Sequence, residues 1–413
     1  MPYTLDPSLS RRAFGGLAAA GAAALALPSR TLASPVRAQA ERLGPEALRL
    51  AGGPNVPVGL AGVARGAEAA ATEEAVTRAV EQITDFSWLG RGDSVLVKVS
   101  CNSGNPYPAT TDPVALRAMI RLLQERGAGR VVVADMSGVQ FVRFGPDETR
   151  GSSRELMQSA GLARVAEDAG AEVQAFEEAG WDAFTAERPG ASGSWKSEIL
   201  LPAVLREVDH VVLMPRCSRH LLAGSSLALK CAVGWWRHDS RLEYHHDAST
   251  FAEKTADANT VPTLREKQRL VVTSATKVMA LFGPDTGHVV EPETGIVFAC
   301  PDPVAHDLVS LAWLLATRAT IPESERDGLL DDPNTSPRLV NFTNKIVTLW
   351  LGGAGKAFSA ERLVPWPAHD VWNDRVLRRA FEVFGGVPAV ELVHTGGVPE
   401  PLLARLADAI RLP

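Results

Sequence analysis

Residues 208–247, VDHVVLMPRCSRHLLAGSSLALKCAVGWWRHDSRLEYHHD, concentrate more titratable side chains than any other forty residues of this chain. They carry five of the nine histidines, two of the four cysteines and a lysine inside an apolar run: His210, His220, His238, His245, His246, Cys217, Cys231 and Lys230. The β-branched start predicts a strand covered on both faces, which Pro215 ends because proline has no N–H for a sheet. Residues 223–226 are small and predict a turn. Residues 227–236 then predict a helix capped by Ser225 or Ser226.

A strand, a turn of small residues and a helix N-terminus together predict an anion-binding site, because free backbone N–H groups and the helix dipole face the ligand. Gly224, Ser225 and Ser226 would form this site. Lys230 lies one turn into the helix, where desolvation by apolar neighbours predicts a lowered pKa and a nucleophilic amine. The alternative for Lys230 is a solvated or snorkelling side chain.

The histidines and cysteines of this stretch allow more than one interpretation. Five histidines within forty residues favour at least one functional histidine over purely structural roles. Cys217 and Cys231 are a metal pair, a disulfide or two small buried residues, and their loose spacing favours the last two alternatives. The chain has no C-x-x-C pair, which argues against an iron–sulfur cluster.

The beginning of the chain has the features of an export signal. Residues 10–14 (SRRAF) lead into an apolar segment over residues 13–27, and an A-x-A cleavage sequence follows at residues 38–40. This pattern resembles the twin-arginine signal, which implies recognition by the twin-arginine (Tat) translocation machinery and a periplasmic or secreted protein without residues 1–40. The apolar segment is too short to span a bilayer comfortably, so no stable membrane anchor is expected after cleavage.

On both sides of the central stretch, apolar runs alternate with helical periodicity. Further strands are predicted at residues 94–100, 130–135, 171–176, 269–276 and 295–300. Asp112-Pro113 and Asp302-Pro303 each predict a helix start, with aspartate as the N-cap and proline in the first turn. This alternation predicts an α/β fold, Rossmann-like, with mainly parallel sheets, helices on both faces and two lobes. Residues 41–320 are predicted to form this domain, residues 321–413 a mixed C-terminal extension packed on it, and residues 247–264 part of a lid.

Polar side chains near the ends of two predicted strands indicate a ligand crevice, because the carboxyl end of a parallel sheet faces the ligand. Lys98 lies near the end of the first strand, Asn102 follows it, and Asp135 ends the second. Asp135 is a candidate catalytic base, with the alternative that it only holds the following loop. The net charge of −6 and the absence of a basic block argue against a nucleic-acid partner.

Five motifs, in this order, resemble the landmarks of the DUF362 family. They are VLVKVSCNSGNPYPATTDP (95–113), GAGRVVVADMSG (127–138), VDHVVLMPRCSRHLLAGSSLALKCAVG (208–234), LFGPDTGH (281–288) and ACPDPVAHD (299–307). The resemblance covers residues 60–315, and many members of the family carry a ferredoxin-like iron–sulfur insert. This chain has no such cysteine run, so no iron–sulfur cluster is expected in it.

A second similarity, to the nickel-pincer lactate racemase family, rests on His220, residues 223–225 (AGS), Lys230 and His246. It implies that His220 is an acid/base and that Lys230 holds the organometallic pincer covalently. It also implies that His246, or its neighbour His245, binds nickel or another transition metal. The turn containing Gly224, Ser225 and Ser226 would hold the phosphate of the cofactor.

Three features depart from the racemase family. Leu227 and Ala228 stand where that family has a pair of glycines, and residues 109–113 (ATTDP) replace its substrate motif. No histidine occurs near residues 137–139, where the second catalytic histidine is expected. Because a racemase needs an acid and a base on opposite faces of the reacting carbon, these departures favour shared ancestry and site location over a shared reaction.

Three functions stay open at this point. The first is an enzyme that acts on a small anionic molecule, with a transition metal or organometallic cofactor. Its pocket would be lined by Lys98, Asn102, Asp135, His220, Lys230, His245 and His246. The second is a non-catalytic periplasmic protein that captures a metal or a small anion. The third is a protein whose histidines are structural and whose pocket is lost.

Overall fold

The structure, a computed structural model, describes residues 51–191, 193–326, 336–366 and 369–413. The export signal predicted at residues 1–40 lies outside these ranges and stays a prediction. Within the described ranges, no helix has both the length and the apolar character needed to cross a membrane.

Strands and helices alternate through most of the described chain. The strands are β1 Ala51–Ala64, β2 Ser94–Val99, β3 Arg130–Asp135, β4 Arg143–Phe144, β5 Thr149–Arg150, β6 Glu172–Ala175, β7 Phe184–Glu187, β8 Ile199–Pro202, β9 His210–Met214, β10 Ser218–His220, β11 Gly224–Ser226, β12 Gln268–Ala275, β13 Val278–Phe282, β14 Gly287–Val290, β15 Thr294–Cys300 and β16 Val387–His394. The helices are α1 Ala69–Glu81, α2 Pro113–Glu125, α3 Ser153–Ser159, α4 Leu162–Asp168, α5 Val204–Glu207, α6 Ala228–Cys231, α7 His238–His246, α8 Phe251–Asp257, α9 Pro262–Lys267, α10 Pro303–Arg318, α11 Pro337–Ser359, α12 Arg375–Phe384 and α13 Glu400–Ala409.

Eight strands form one central sheet in the order β16-β1-β15-β12-β9-β2-β3-β6. Neighbouring strands run parallel from β12 through β9, β2 and β3 to β6, and β16 runs parallel to β1. β15 is antiparallel to both of its neighbours, β1 and β12. The predicted α/β class with a mainly parallel sheet is therefore confirmed.

Alternate residues of the central strands supply a hydrophobic core on each face of the sheet. One core contains Leu96, Val132 and Val211 with Leu229 of α6, Leu308 of α10 and Leu377 of α12. The other contains Val95, Val133 and Val212 with Val76 of α1, Leu116 of α2 and Leu162 of α4. Helices therefore cover both faces, as the sequence predicted.

Both aspartate–proline helix starts are also confirmed. Asp112 Oδ1 accepts a hydrogen bond from Val114 N at 2.9 Å at the start of α2. Asp302 Oδ1 accepts from Val304 N and Ala305 N, both at 2.8 Å, at the start of α10. Each carboxylate satisfies backbone N–H groups that have no partner inside the helix.

Two local predictions are wrong. The helix predicted at residues 227–236 is a single turn, α6, followed by a 3-10 turn over Ala232–Trp235, and its N-cap is Leu227 rather than a serine. Residues 247–264 are not a lid, because α8 and most of the residues around it are buried in the core.

The C-terminal residues share the same sheet and core. β16 pairs with β1 with Val390 opposite Val56, and Leu406 of α13 is fully buried. Neither strand was predicted, because the glycines and prolines of β1 hide its alternation. The domain boundaries at residues 40 and 320 stay predictions.

Candidate functional site

The short helix α6 begins against a carboxylate from another helix. Ala228 N donates to Asp307 Oδ1 at 2.8 Å and Leu229 N donates to Asp307 Oδ2 at 2.9 Å. Asp307, in α10, thus occupies the backbone N–H groups that the sequence offered to an external anion. The predicted serine cap is wrong for the same reason, since a carboxylate accepts both bonds and also matches the positive end of the helix dipole.

Lys98 and Asp135 form a buried ion pair at the carboxyl ends of β2 and β3. Lys98 Nζ lies 2.6 Å from Asp135 Oδ1, and both side chains are at most 4% exposed. The carboxylate also accepts from Cys101 N at 2.6 Å and Met136 N at 2.8 Å, while Lys98 Nζ donates to Val99 O at 2.9 Å. Both oxygens of Asp135 are therefore bonded within the protein, and its predicted catalytic role stays untested.

The ion pair is covered by the 3-10 turn that follows α6. A Cβ atom added at Gly234 would lie 2.3 Å from both Asp135 Oδ1 and Lys98 Nζ. Lys98 Nζ also stands 5.3 Å from the centre of the Trp235 ring. Glycine is required at position 234 because the backbone rests directly on the ion pair.

Arg216 follows β9 and is anchored by part of its guanidinium. Its Nε donates to Ser226 Oγ at 3.2 Å, and its Nη1 donates to Pro284 O at 3.1 Å and to Ala109 O. Its Nη2 has no hydrogen-bond acceptor in the part of the chain that the structure describes. Arg216 thus keeps free donors at the carboxyl end of the sheet.

Asn102, a predicted cofactor-binding residue, lies in the same region. Its Nδ2 donates to Asp285 Oδ1 at 2.7 Å. The charge of Asp285 in turn acts on Arg216. Asn102 therefore joins the loop after β2 to the loop between β13 and β14, and its predicted contact with a cofactor is untested.

His220 is the last residue of β10, and one of its ring nitrogens accepts hydrogen bonds. Its Nδ1 lies 3.1 Å from Leu222 N and 3.3 Å from Ala223 N, both of which donate to it. Nδ1 is therefore the acceptor, and the proton of the neutral ring sits on Nε2, which has no acceptor among the described residues. Burial first, then the charges of Lys230 and Arg216, hold the pKa of His220 well below its usual value.

His245 has the opposite tautomer. Its Nδ1 lies 2.8 Å from Asn344 Oδ1, while Asn344 Nδ2 donates to His245 O at 2.8 Å. This second bond orients the amide, so Nδ1 donates and Nε2 keeps its lone pair. Burial first, opposed by the bond to Asn344, and then the charge of Lys230 lower the pKa of His245 to about 3.

His246 has both ring nitrogens engaged. Its Nδ1 lies 2.6 Å from Asp247 Oδ1 and its Nε2 lies 3.0 Å from Ser359 Oγ. Across the described ranges, no group of three or more His, Cys, Asp or Glu side chains converges to hold a metal ion. Of the two predicted metal ligands, His245 is the one whose Nε2 lone pair has no partner within the described chain.

Lys230 is half-buried, and its Nζ makes no hydrogen bond or ion pair with any described residue. Burial, then the charges of Arg216 and Arg241, lower its pKa to about 7. The pKa is thus shifted in the direction that the sequence predicted for a desolvated lysine.

Arg241 contributes a second fixed cation. Its three nitrogens donate to Trp236 O at 2.9 Å, Ser137 O at 2.5 Å and Met136 O at 2.7 Å. Burial lowers its pKa to about 10, which leaves it charged at neutral pH. The charges of Lys230 and Arg216 act on His220, and those of Lys230 and Arg241 act on His245. Lys98, Asp135 and His246 are bonded to other partners.

The remaining histidines and the cysteines of the central stretch are structural. His238 Nδ1 accepts from Phe144 N at 2.9 Å, and His210 Nε2 lies 2.9 Å from Asp93 Oδ2. Cys217 and Cys231 are buried and unbridged, as are the other two cysteines. Of the three alternatives for this pair, two small buried residues is the correct one.

Sequence analysis missed Arg216, Arg241, Asn344 and Asp307. Arg216 directly follows Pro215 at the end of a predicted strand, a position that could have indicated it. Arg241 lies within the central stretch but was not singled out. Asp307 and Asn344 lie in distant helices, and residue 344 belongs to the extension to which no chemistry was assigned. Only the packing of α7, α10 and α11 brings them to α6.

The pincer cofactor implied by the racemase resemblance does not fit these residues. Gly224, Ser225 and Ser226, expected to hold its phosphate, form β11 and pair with β10, and Asp307 occupies the N–H groups of Ala228 and Leu229 at the adjacent helix start. The cavity between α6, α10 and α12, beside Lys230, has a volume of about 10 Å³, which is room for about one water molecule. Covalent attachment of an organometallic group at Lys230 is untested, and the residues around it do not provide its phosphate site.

Comparisons with solved structures give two weak likenesses. A structural-genomics target protein from Thermotoga maritima is 16% identical to this chain, with a TM-score of 0.33, and the match covers 57% of this chain and 56% of that one. The lactate racemase apoprotein from Thermoanaerobacterium thermosaccharolyticum is 12% identical with a TM-score of 0.35, over 90% of this chain and 88% of that one. The chain thus spans little more than half the length of the first, and both likenesses are too weak to bear on function. No curated protein matches the chain.

The family match is more extensive. The model described as "Domain of unknown function (DUF362)" matches residues 95–312, which include β2, β3, β9, α6 and α10. This segment is more than half of the chain and contains His220, Lys230, His245 and Asp307. The chain belongs to the DUF362 family.

Proposed function

We propose that this protein is an enzyme that binds a small anionic substrate at Lys230 and exchanges protons with it through His220 and His245. The observation that carries the proposal is the environment of Lys230. Its amine has no bonding partner among the described residues, and the positive charges of Arg216 and Arg241 act on it.

Electrostatics favour an anion at this position. Burial, and then the positive charges of Arg216 and Arg241, lower the pKa of Lys230, because both disfavour its protonated form. A bound carboxylate would offset these charges and would raise the pKa of Lys230 toward its ordinary value.

The two histidines support an enzyme rather than a simple binding protein. His220 offers an N–H at Nε2 because its Nδ1 accepts a hydrogen bond. His245 offers a lone pair at Nε2 because its Nδ1 donates to Asn344 Oδ1. A donor and an acceptor beside one amine are the parts that general acid–base catalysis requires. Capture of a metal by His246 is not favoured, since both of its nitrogens are already engaged.

Oxalate, a small dianion without an electrophilic carbonyl, tests anion binding. We expect oxalate to raise the thermal midpoint of the wild type in a saturable way, because a ligand that binds only the folded state stabilises it by mass action. The Lys230→Met variant should lose this shift. Lys196→Met is the matched control, since Lys196 is 69% exposed and pairs with Asp247. Equal shifts in wild type and Lys230→Met would contradict the proposal.

We also propose export by the twin-arginine machinery, on the basis of residues 10–14 and 38–40. A double variant, Arg11→Lys with Arg12→Lys, should keep the protein in the cytoplasmic fraction of a bacterial host, because this pathway is defined by the arginine pair. An immunoblot of fractionated cells measures the distribution. Unchanged export of the double variant would exclude this route.

A further inference from the structure

Exposed apolar side chains concentrate in and just after helix α11. Among the described residues, five large apolar side chains are exposed, and three of them lie between residues 349 and 364: Leu349, Phe358 and Val364. Leu349 is 45% exposed and Phe358 is 88% exposed. Exposed apolar surface that is gathered in one segment marks a place where a protein meets a partner or a membrane.

Before its kink at Gly353, α11 has two distinct sides. The buried side chains of one side, at intervals of four residues, are Val340, Asn344 and Thr348. The other side carries, at intervals of four, three and four residues, Arg338, Phe342, Lys345 and Leu349. Residues three and four apart are neighbours on a helix, so these four side chains form one outer stripe. Phe342 is half-buried and the other three are exposed.

The charge of this segment is opposite to that of the whole chain. Residues 336–364 contain four cationic side chains and a single acid, Glu361, whereas the chain has a net charge of −6. The cations that form no ion pair with any residue of the described ranges are Arg338, Lys345, Lys356 and Arg362. Glu361 accepts a hydrogen bond from Ser249 Oγ and lies 3.8 Å from Lys196 Nζ. The exposed cations are therefore uncompensated and match an anionic surface.

We propose that the outer stripe of α11, continued past the kink by Lys356 and Phe358, rests on the surface of a bilayer that contains anionic phospholipids. Leu349 and Phe358 enter the boundary between headgroups and acyl chains, and the lysines extend their amines to the phosphates. Trp350 lies beside the stripe, with the Arg143 guanidinium 5.9 Å from the centre of its ring. A tryptophan next to a cation is typical of the bilayer interface.

A second copy of the chain is a poor occupant of this surface. In a two-fold dimer the same patch faces itself, so the cations of one copy would meet those of the other. No Asp or Glu occurs in α11 to neutralise them. Lysine is also depleted at interfaces between proteins, whereas helices that lie on membranes combine Lys and Arg with Phe, Trp and Leu.

A fluorescent label at single positions tests the proposal on the full-length protein. The four native cysteines are buried, so one added exposed cysteine takes a nitrobenzoxadiazole (NBD) label selectively. The labelled variants are Leu349→Cys and Phe358→Cys, with Val289→Cys and Leu412→Cys as controls at the exposed apolar positions elsewhere. NBD emission brightens and shifts to the blue when the label leaves water. It therefore reports contact at each position, whichever other segment also binds lipid.

With vesicles of phosphatidylglycerol and phosphatidylcholine, we expect the shift at positions 349 and 358 and none at positions 289 and 412. Vesicles of phosphatidylcholine alone should give no shift. Salt at about 1 M should abolish it, because the Debye length falls to about 3 Å. A shift at all four positions, at neither position of α11, or of equal size with phosphatidylcholine alone would overturn the proposal.

Two double variants in the labelled Leu349→Cys protein test the role of charge. Lys345→Gln with Lys356→Gln should need at least about ten-fold more lipid for half of the shift, since each cation near an anionic surface favours binding about five-fold. Lys196→Gln with Lys277→Gln removes the same charge at exposed lysines that pair with Asp247 and Glu291, and should change the requirement by less than about two-fold. Equal requirements would contradict the proposal. So would a shift that grows with protein concentration in the absence of vesicles, which would identify a second copy as the occupant.

Discussion

Lys98 and Lys230 carry the same amine in the same region of the protein, but in opposite surroundings. Lys98 faces a carboxylate at 2.6 Å and a backbone carbonyl at 2.9 Å. Lys230 has no such partner among the described residues, and the charges of Arg216 and Arg241 act on its amine. The first lysine is therefore held in a structural ion pair, and the pKa of the second is lowered to about 7 by burial and then by these charges.

The titration of Lys230 is directly measurable by acetylation with acetic anhydride across a pH series, followed by peptide mapping. The titratable and charged groups that act on it or line the cavity beside it are Arg216, Arg241, Lys98, Cys231, His220, His245, Asp307 and Asp374. We expect the labelling rate at Lys230 to rise with a midpoint of about pH 7. The control, Lys196, should titrate above 10.5, because Asp247 raises its pKa. A common midpoint for both lysines would contradict this assignment.

The lowered pKa of Lys230 also makes the stability of the folded protein depend on pH. Between about pH 7 and the ordinary lysine pKa of 10.5, the unfolded chain holds a proton on Lys230 that the folded chain has released. The unfolded state therefore binds more protons, and the contribution of this group to stability rises with pH across that window. Lys230→Met removes this contribution, so its thermal midpoint should rise less between pH 7 and 10 than that of the wild type.

At the scale of elements, α6 and the turn after it are held from both sides. Asp307 of α10 caps the first N–H groups of α6, and the Lys98–Asp135 pair supports Gly234 from below. This double support explains why one helical turn is enough to present Lys230. It also explains why the longer helix expected from the apolar pattern does not form.

Gly234→Ala tests this support. The new Cβ would stand 2.3 Å from two atoms of a buried ion pair, so the turn or the pair must move. We expect a loss of about 1–3 kcal/mol in the free energy of unfolding, measured by urea denaturation. Gly355→Ala in α11 is the control of opposite sign: its Cβ would meet no atom within 4 Å, and alanine favours helix by about 0.5–1 kcal/mol. Equal stabilities of the two variants would exclude a close approach at Gly234.

At the scale of the whole molecule, the C-terminal residues belong to the core that surrounds the site. Leu406 of α13 and Leu377 of α12 lie in the same hydrophobic core as Leu229 of α6. Asn344 of α11 holds His245 in its tautomer. Site chemistry and global stability therefore depend on the same packing.

Leu406→Ala should destabilise the entire fold. Leu406 is fully buried, so its truncation leaves a cavity and costs about 2–5 kcal/mol, in a single denaturation transition. Leu412→Ala, at a side chain 38% exposed, should change stability by less than about 0.5 kcal/mol. A separate early transition for Leu406→Ala would show instead that residues 321–413 unfold independently.

Local sequence was sufficient for the class of fold and for the strands and caps of the parallel half of the sheet. Buried β-branched runs such as Arg130–Asp135 form strands in any context that covers both faces, and an aspartate before a proline caps a helix through its own short-range geometry. The concentration of histidines around Lys230 led to the candidate site from composition alone, and its function stays a proposal. The lowered pKa of Lys230 followed from its apolar neighbours.

The hydrogen-bond partners of these polar groups lie far away in the chain. Asp307 lies 79 residues from Ala228 and Asn344 lies 99 residues from His245, so neither pairing has a local signal. Burial makes such pairings energetically decisive, because an unpaired polar group away from water is costly. The tertiary structure therefore decided which nitrogens of His220 and His245 stay free, why Lys98 is bound, and why Lys230 is not.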